Sequence, residues 1–190
     1  VTPAVGAALA GLSGDSVGKL LFTSGSTGMP KAVINTQRMM CANLAMALQT
    51  RTPAADEPPP VVLDWLPWNH TMGGNATFHG LLGHGGTLYI DEGRPLPGQF
   101  DTTLRNLREV SPTAFSNVPA GYAMLATALE HDDALARKFF ARLSLLSYGG
   151  ATLSDDLYRR MQALAVQYTG QRIVFFTGWG STETAPTATP

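Results

Sequence analysis

Thr23-Ser24-Gly25-Ser26-Thr27-Gly28-Met29-Pro30-Lys31 follows directly on the apolar stretch Lys19-Leu20-Leu21-Phe22 and precedes a helical pattern. A hydroxyl- and glycine-rich loop in that position reads as a phosphate-binding loop. Its flexible backbone lets N–H groups converge on an anion, and Lys31 adds a fixed positive charge beside them. A polyphosphate is the ligand such a loop suits. The blander reading, a Ser/Thr/Gly linker, fits poorly with a run that follows a strand and ends in Pro-Lys. The common nucleotide-binding loop is excluded, because it needs Gly before the Lys and Ser or Thr after it to hold magnesium, and here the neighbours are Pro30 and Ala32. A magnesium ligand must therefore come from elsewhere in the chain.

A second loop supplies one. Ile173-Val174-Phe175-Phe176 reads as a buried strand and runs into Thr177-Gly178-Trp179-Gly180-Ser181-Thr182-Glu183-Thr184. Trp179 offers a flat face to a base, Thr182 a donor to a phosphate oxygen, and Glu183 a hard oxygen ligand of the kind magnesium prefers. Standing alone, the segment would also read as a strand-ending turn with a core Trp.

Outward from these loops, strand-like runs alternate with helical ones. Thr36 or Asn35 caps a helix to about Gln49, and Val61 to Leu66 and Thr87 to Ile90 read as strands. Phe78 to Leu82 falls in a short helix, and Gln99 to Val110 places Phe100, Leu104 and Leu107 on one face. Thr113 to Phe115 and Leu143 to Ser147 return as strands. Pro119 opens a helix to Leu129, and Ser154 caps one with Leu157, Met161 and Leu164 on its buried side. Pro53 to Pro60 is an exposed loop. The alternation predicts an α/β domain, a largely parallel sheet with flanking helices, whose loops lie at strand ends where such sheets bind ligands.

Composition agrees and excludes other classes. At 190 residues and 44% hydrophobic the chain can bury a core as one globular unit. A net charge of −1 without a basic cluster argues against nucleic acid, and no apolar run is long enough to span a membrane. The single Cys41 forms no disulfide framework and fits a reducing cytoplasm. His79, His84 and His131 lack metal-ligand spacing and read as ordinary polar positions, and Glu130-His131-Asp132-Asp133 reads as a solvated turn between helices.

Taken in order, the two loops resemble the signature motifs of the adenylate-forming superfamily of acyl-CoA synthetases, luciferases and peptide-synthetase adenylation domains. Ser147-Tyr148-Gly149-Gly150-Ala151-Thr152-Leu153 is similar to the Gly-Gly-Ala segment that lines the adenine and acyl pockets there. At Leu66-Pro67-Trp68-Asn69-His70 the peptide-synthetase relatives place an Asp that pairs with an amino group, whereas this chain has the Pro-aromatic-x-His of aryl and acyl-CoA synthetases. Without that carboxylate a buried ammonium would be unpaired at a cost of several kcal/mol, which points away from an amino acid substrate. Asp64 to His70 with Gly73-Gly74-Asn75, Gly86 to Gly93 and the ending Gly178 to Pro186 look closest to bacterial feruloyl-CoA synthetases. A planar hydroxylated acid suits a pocket near Trp65, Trp68 and His70.

The resemblance implies ATP, Mg2+ and coenzyme A as cofactor and co-substrates, and an aromatic carboxylic acid as the partner activated. It assigns Thr23, Ser24, Gly25, Ser26, Thr27, Gly28 and Lys31 to the β- and γ-phosphates, Thr182 to the α-phosphate and Glu183 to the metal. Gly149, Gly150, Ala151, Trp179 and Gly180 go to the adenine or acyl cleft, and His70 to the acid. It implies that residues 1–190 are the central portion of an N-terminal AMP-binding domain whose C-terminal domain is absent from this chain, a fragment expected to be inactive alone and to self-associate through exposed edges. Two positions depart from the pattern: Trp179 stands where Tyr is usual, and Ala32 where Gly usually follows the Lys. Two other readings stay open, a medium-chain or benzoate-type acyl-CoA synthetase and a non-catalytic ATP-binding module.

Overall fold

The computed structural model describes residues 2–24, 28–49 and 57–189; Gly25, Ser26 and Thr27 of the first loop, and Pro53 to Asp56, lie outside them. After α1 (Pro3–Ala10), β1 (Val17–Ser24) and β2 (Pro30–Thr36) pair antiparallel, with Leu21 opposite Val33 and Thr23 opposite Lys31. Thr23-Ser24 and Pro30-Lys31, the described ends of the first loop, are therefore the last paired residues of a hairpin, and a strand, not the helix expected from the sequence, follows directly. The strand pattern of β2 is hard to read because its inward positions are Val33 and a polar residue, Asn35, both buried. Thr36 then caps α2 (Gln37–Gln49), its Oγ1 accepting from the Met39 N–H at 3.3 Å.

The parallel strands follow. β3 (Val61–Asp64) leads through a π-helix (Met72–His79) and α3 (Gly80–His84) to β4 (Thr87–Ile90), its parallel partner. Beyond α4 (Phe100–Glu109), β5 (Ala114–Asn117), α5 (Pro119–His131), α6 (Asp133–Phe140), β6 (Leu145–Tyr148), α7 (Asp155–Thr169) and β7 (Val174–Thr177) build a three-stranded parallel sheet in the order β5-β6-β7. Thr113, just before β5, staples this sheet to β3: its N–H donates to the Val61 carbonyl at 2.8 Å and its Oγ1 accepts from the Val61 N–H at 2.9 Å. The α/β class with parallel strands and covering helices is thus as the alternation implies. The antiparallel units are the hairpin and a short pair, β8 (Trp179–Gly180) with β9 (Thr187–Thr189).

The core lies between the β5-β6-β7 sheet and α4 to α7. Phe115, Leu146 and Phe175 align across the register, and Leu107, Leu125, Leu135, Phe139 and Met161 pack against them, each fully or almost fully buried apart from the partly buried Phe175. Burying each such side chain contributes about 1.5–3 kcal/mol. Tyr122 is fully buried with its hydroxyl 2.8 Å from the Phe115 and Ser147 carbonyls, donating to one or the other, and burial pushes its phenol well above the ordinary range. β7 is less buried than its apolar run implies: Val174 is 62% and Phe176 42% exposed, because one face of this edge strand is uncovered. The outer face of the hairpin, Leu20, Phe22 and Ile34, is likewise exposed.

Because β3 to β7 run parallel, their carboxyl ends share one edge. Asp64 to His70, Asp91, Asn117, Tyr148 to Ala151 and Thr177 onward all leave the sheet there, the edge at which open α/β sheets hold ligands.

Candidate active site

On one side of the candidate site, the hairpin and the second loop meet. Thr182–Thr184 forms one 3-10 turn whose capping residue is Ser181: the Ser181 N–H donates to Thr184 Oγ1 at 2.8 Å, and the Thr184 N–H donates to the Ser181 carbonyl at 3.1 Å. Gly180 precedes it and pairs with Thr187; a Cβ there would run into the Pro186 carbonyl, so only glycine fits. Glu183 is exposed, and its carboxyl is held below the ordinary range by its own backbone N–H, by the Ser181 hydroxyl and then by the Lys31 charge. Lys31 and Glu183, taken separately from the sequence, therefore lie close enough to feel one another. Lys31 is exposed on β2 beside Thr23, whose Oγ1 lies 3.5 Å from the Lys31 carbonyl, and Ser24 is exposed at the end of β1. Gly28 has φ +82°.

The two segments are tied from below by buried amides. Asn35, wholly buried on β2, donates from Nδ2 to the Thr182 carbonyl at 3.4 Å. Asn43 on α2 donates to the Thr184 carbonyl at 3.1 Å and the Thr187 carbonyl at 2.7 Å. Asn75, on the π-helix, donates to Asn35 Oδ1 at 2.9 Å and to the Ala185 carbonyl at 3.4 Å, and its Oδ1 accepts from Lys19 Nζ at 2.8 Å. Each of these buried polar groups is satisfied by a backbone carbonyl or another amide, as burial requires. Motif reading quotes Asn75 only within a family phrase and offers Asn35 only as an alternative cap to Thr36, and it gives none of these asparagines, nor Lys19, a role in the site. The signal that finds them is polarity at a core position: Asn35 alternates with Val33 along β2, and Asn43 falls three residues after the buried Met40 on α2.

The second cluster surrounds the start of the π-helix. Gly73 and Gly74 lie against the backbone of Leu66, Pro67 and Trp68; a Cβ on Gly73 would sit 2.6 Å from the Leu66 carbonyl oxygen, and one on Gly74 would run into the Trp68 carbonyl. The two glycines let the 66–68 loop fold over the helix. His70 is exposed within this turn, its carbonyl accepting from the Gly74 N–H at 2.8 Å. Trp68 stacks on Phe78 with ring centroids 4.8 Å apart, while Trp65 points its Nε1 at the buried Asn117 Oδ1 at 3.1 Å, so Trp68 is the tryptophan on the exposed side. Gly149 faces Met72, where a Cβ would lie 3.1 Å from the sulfur, and Gly150 has φ +83°. Gly150 and Ala151 are exposed. Trp179, 70% exposed on β8, is not a core residue.

Beneath this cluster, Asp64 ends β3 almost fully buried. Its Oδ1 accepts from the Leu66 N–H at 3.1 Å, and its Oδ2 has no partner among the described residues. Burial pushes its carboxyl up to about 6, with the Asp91 charge acting the same way against the Leu66 N–H and the Thr77 hydroxyl. Asp91 is fully engaged by the Gly93 N–H, Thr103 Oγ1 and Asn106 Nδ2. Among the described residues no three His, Cys, Asp or Glu cluster at metal-binding distance, and no helix is long and apolar enough to cross a membrane. His84 and His131 each point Nδ1 at the carbonyl four residues back, at 2.7 and 2.8 Å, and Asp132 caps α6 through the Leu135 N–H. Those positions are structural.

An α/β fold in which a Lys-bearing segment is hydrogen-bonded to an exposed acidic turn is the arrangement the sequence leads us to expect of a nucleotide-binding protein. The chain belongs to the AMP-binding enzyme family, whose profile it matches over residues 7–190. It is 33% identical over 178 residues to a protein of Salinispora arenicola named as a probable non-canonical nonribosomal peptide synthetase, covering 94% of this chain and 2% of that one. It is 26% identical over 149 residues to 4-chlorobenzoate–CoA ligase of Pseudomonas sp., covering 77% of this chain and 26% of the ligase. Among solved structures, a malonyl-CoA ligase with methylmalonyl-CoA and AMP bound aligns with a TM-score of 0.67 at 25% identity, over 88% of this chain and 34% of that one. The chain spans only a minor part of each of these relatives.

Proposed function

We propose that this chain carries the nucleotide- and acid-binding portion of an ATP-dependent acid–CoA ligase acting on a hydroxycinnamic acid, ferulate first. The acid's carboxylate oxygen attacks the α-phosphorus of ATP and pyrophosphate leaves with the bonding pair. The thiolate sulfur of coenzyme A then attacks the acyl carbon, and AMP departs. Both steps move negative charge, so the work lies in holding and neutralising phosphate oxygens.

The observation that carries the reading is the bond from Asn35 on β2, the strand that bears Lys31, to the Thr182 carbonyl, which holds the Glu183 turn within reach of the Lys31 charge. A depressed, exposed carboxylate beside a lysine and several hydroxyls is a donor set that fits a magnesium polyphosphate. Glu183 would hold the metal, which when bound neutralises phosphate oxygens. Lys31, with Thr23, Ser24, Gly25, Ser26, Thr27 and Gly28, takes the β- and γ-phosphates, and Thr182 the α-phosphate. Trp179, Gly180, Gly149, Gly150 and Ala151 form the adenine and acyl cleft, and His70 addresses the acid. For the acid itself, support comes from the absence of a carboxylate at Asn69 or its immediate neighbours in sequence, the exposed Trp68 stacked on Phe78, and a relative named for an aromatic acid. On this reading residues 1–190 are the central part of an N-terminal domain working in the cytoplasm.

The test is acid-dependent exchange of labelled pyrophosphate into ATP by the full-length protein, with ferulate, coumarate, benzoate and octanoate. Exchange fastest with the hydroxycinnamates is expected, and Glu183→Gln should abolish most of it. Exchange with octanoate or benzoate alone would replace the acid, and nucleotide binding without any exchange would favour a non-catalytic ATP-binding module.

A further inference from the structure

Asn75 is 6% exposed and is the point where three segments of the site meet. It lies on the π-helix that carries the acid-side cluster. Through Nδ2 it reaches Asn35 of the phosphate hairpin and the Ala185 carbonyl just after the Glu183 turn. Through Oδ1 it accepts from Lys19 on β1, a half-buried lysine whose ammonium burial pulls below its ordinary range. Asn35 passes the connection on to the Thr182 carbonyl. Widened helical turns of this kind often occur at functional sites, where they re-aim a side chain. Here the turn directs a neutral amide into the seam between the acid and phosphate clusters.

We infer that Asn75 is a positioning residue: through Asn35 and Ala185 it fixes the Thr182–Glu183 turn against the phosphate hairpin, so that metal-dependent chemistry depends on a residue of the acid-side helix. The inference rests on the proposed adenylation. A simple space-filling role would need only the volume of the side chain. A positioning role needs the direction of its donors, because a displacement of about 1 Å at a reacting group costs on the order of 10²-fold in rate.

Isosteric substitutions separate the two. Asn75→Asp keeps the acceptor for Lys19 Nζ but removes both donated bonds, setting acceptor against acceptor at Asn35 Oδ1 and Ala185 O. Asn35→Leu keeps nearly the volume, removes the bonds to Thr182 O and from Asn75 Nδ2, and adds no charge beneath the turn. Pyrophosphate exchange by the full-length protein is measured against Mg2+, ATP and acid concentration, with thermal midpoints alongside. For both variants the half-saturating Mg2+ concentration should rise about tenfold or more and kcat should fall, while KM for the acid stays within about twofold of wild type. If Asn75→Asp does not fold, Asn35→Leu decides alone. Wild-type Mg2+ dependence and kcat in a folded variant overturn the inference and leave the adenylation reading standing. A wild-type protein that exchanges with no acid overturns both.

Discussion

Asp64→Asn tests whether the sheet's carboxyl edge holds a destabilised carboxylate. The group is 5% exposed, and its carboxyl is raised from 3.8 to about 6 by burial first, with Asp91 adding to it. A raised carboxyl pKa means that the folded state holds the proton more tightly than the unfolded chain. Its contribution to stability is therefore full below 3.8 and is lost as pH rises through about 6. The difference corresponds to about 3 kcal/mol, of which about 2 kcal/mol falls between about pH 4.5 and about pH 8. Asparagine retains the acceptor for the Leu66 N–H and cannot ionise, so it removes this dependence while nearly keeping the shape. Urea melts of wild type and variant across that range, followed by tryptophan fluorescence, give the stability difference at each pH. The variant should gain on wild type by about 2 kcal/mol from the acid to the alkaline end. A difference that stays flat with pH would refute the assignment of a buried carboxylate with a raised pKa to Asp64.

Leu146→Ala, at the centre of the middle strand and wholly buried, should cost about 2–5 kcal/mol in the same melts, since neighbours fixed by β5 and β7 leave the cavity unfilled. Gly180→Ala should displace the Thr182–Glu183 turn because its Cβ meets the Pro186 carbonyl. The readout is a loss of pyrophosphate exchange in the full-length protein of about tenfold or more, with the cooperative melt retained.

Much of this arrangement is legible in the sequence because the parallel strands and their helices obey one pattern. Pro119 at the start of α5, Ser154 capping α7 and the stripe of Leu157, Met161 and Leu164 on its buried face all stand where local chemistry puts them. What resists reading is held by long-range contacts. β2 shows a strand pattern only once β1 is beside it, since its inward residue Asn35 looks like a surface position until its partners Thr182 and Asn75 are known. The exposure of Val174 and Phe176 is similarly invisible from β7 alone, because an apolar run does not reveal that the strand lies at an edge. The motifs name Lys31 and Glu183 but not what sets one against the other.

That last task falls to neutral amides, and charge explains why. The Glu183 carboxyl is held low first by its own backbone N–H and the Ser181 hydroxyl and then by the Lys31 charge, and both charged groups are exposed. A buried carboxylate in place of Asn35 would add negative charge directly beneath the turn and repel the Glu183 carboxylate. A buried lysine there would draw Glu183 away from it, and either ion would carry a desolvation cost of several kcal/mol. An amide supplies both a donor and an acceptor without a net charge, so Asn35, Asn43 and Asn75 can grip the carbonyls of Thr182, Thr184, Ala185 and Thr187 while leaving the field above them to Lys31 and Glu183. Among the described residues the one charge in this network, Lys19, enters at its far end through Asn75 Oδ1, on the side of the π-helix.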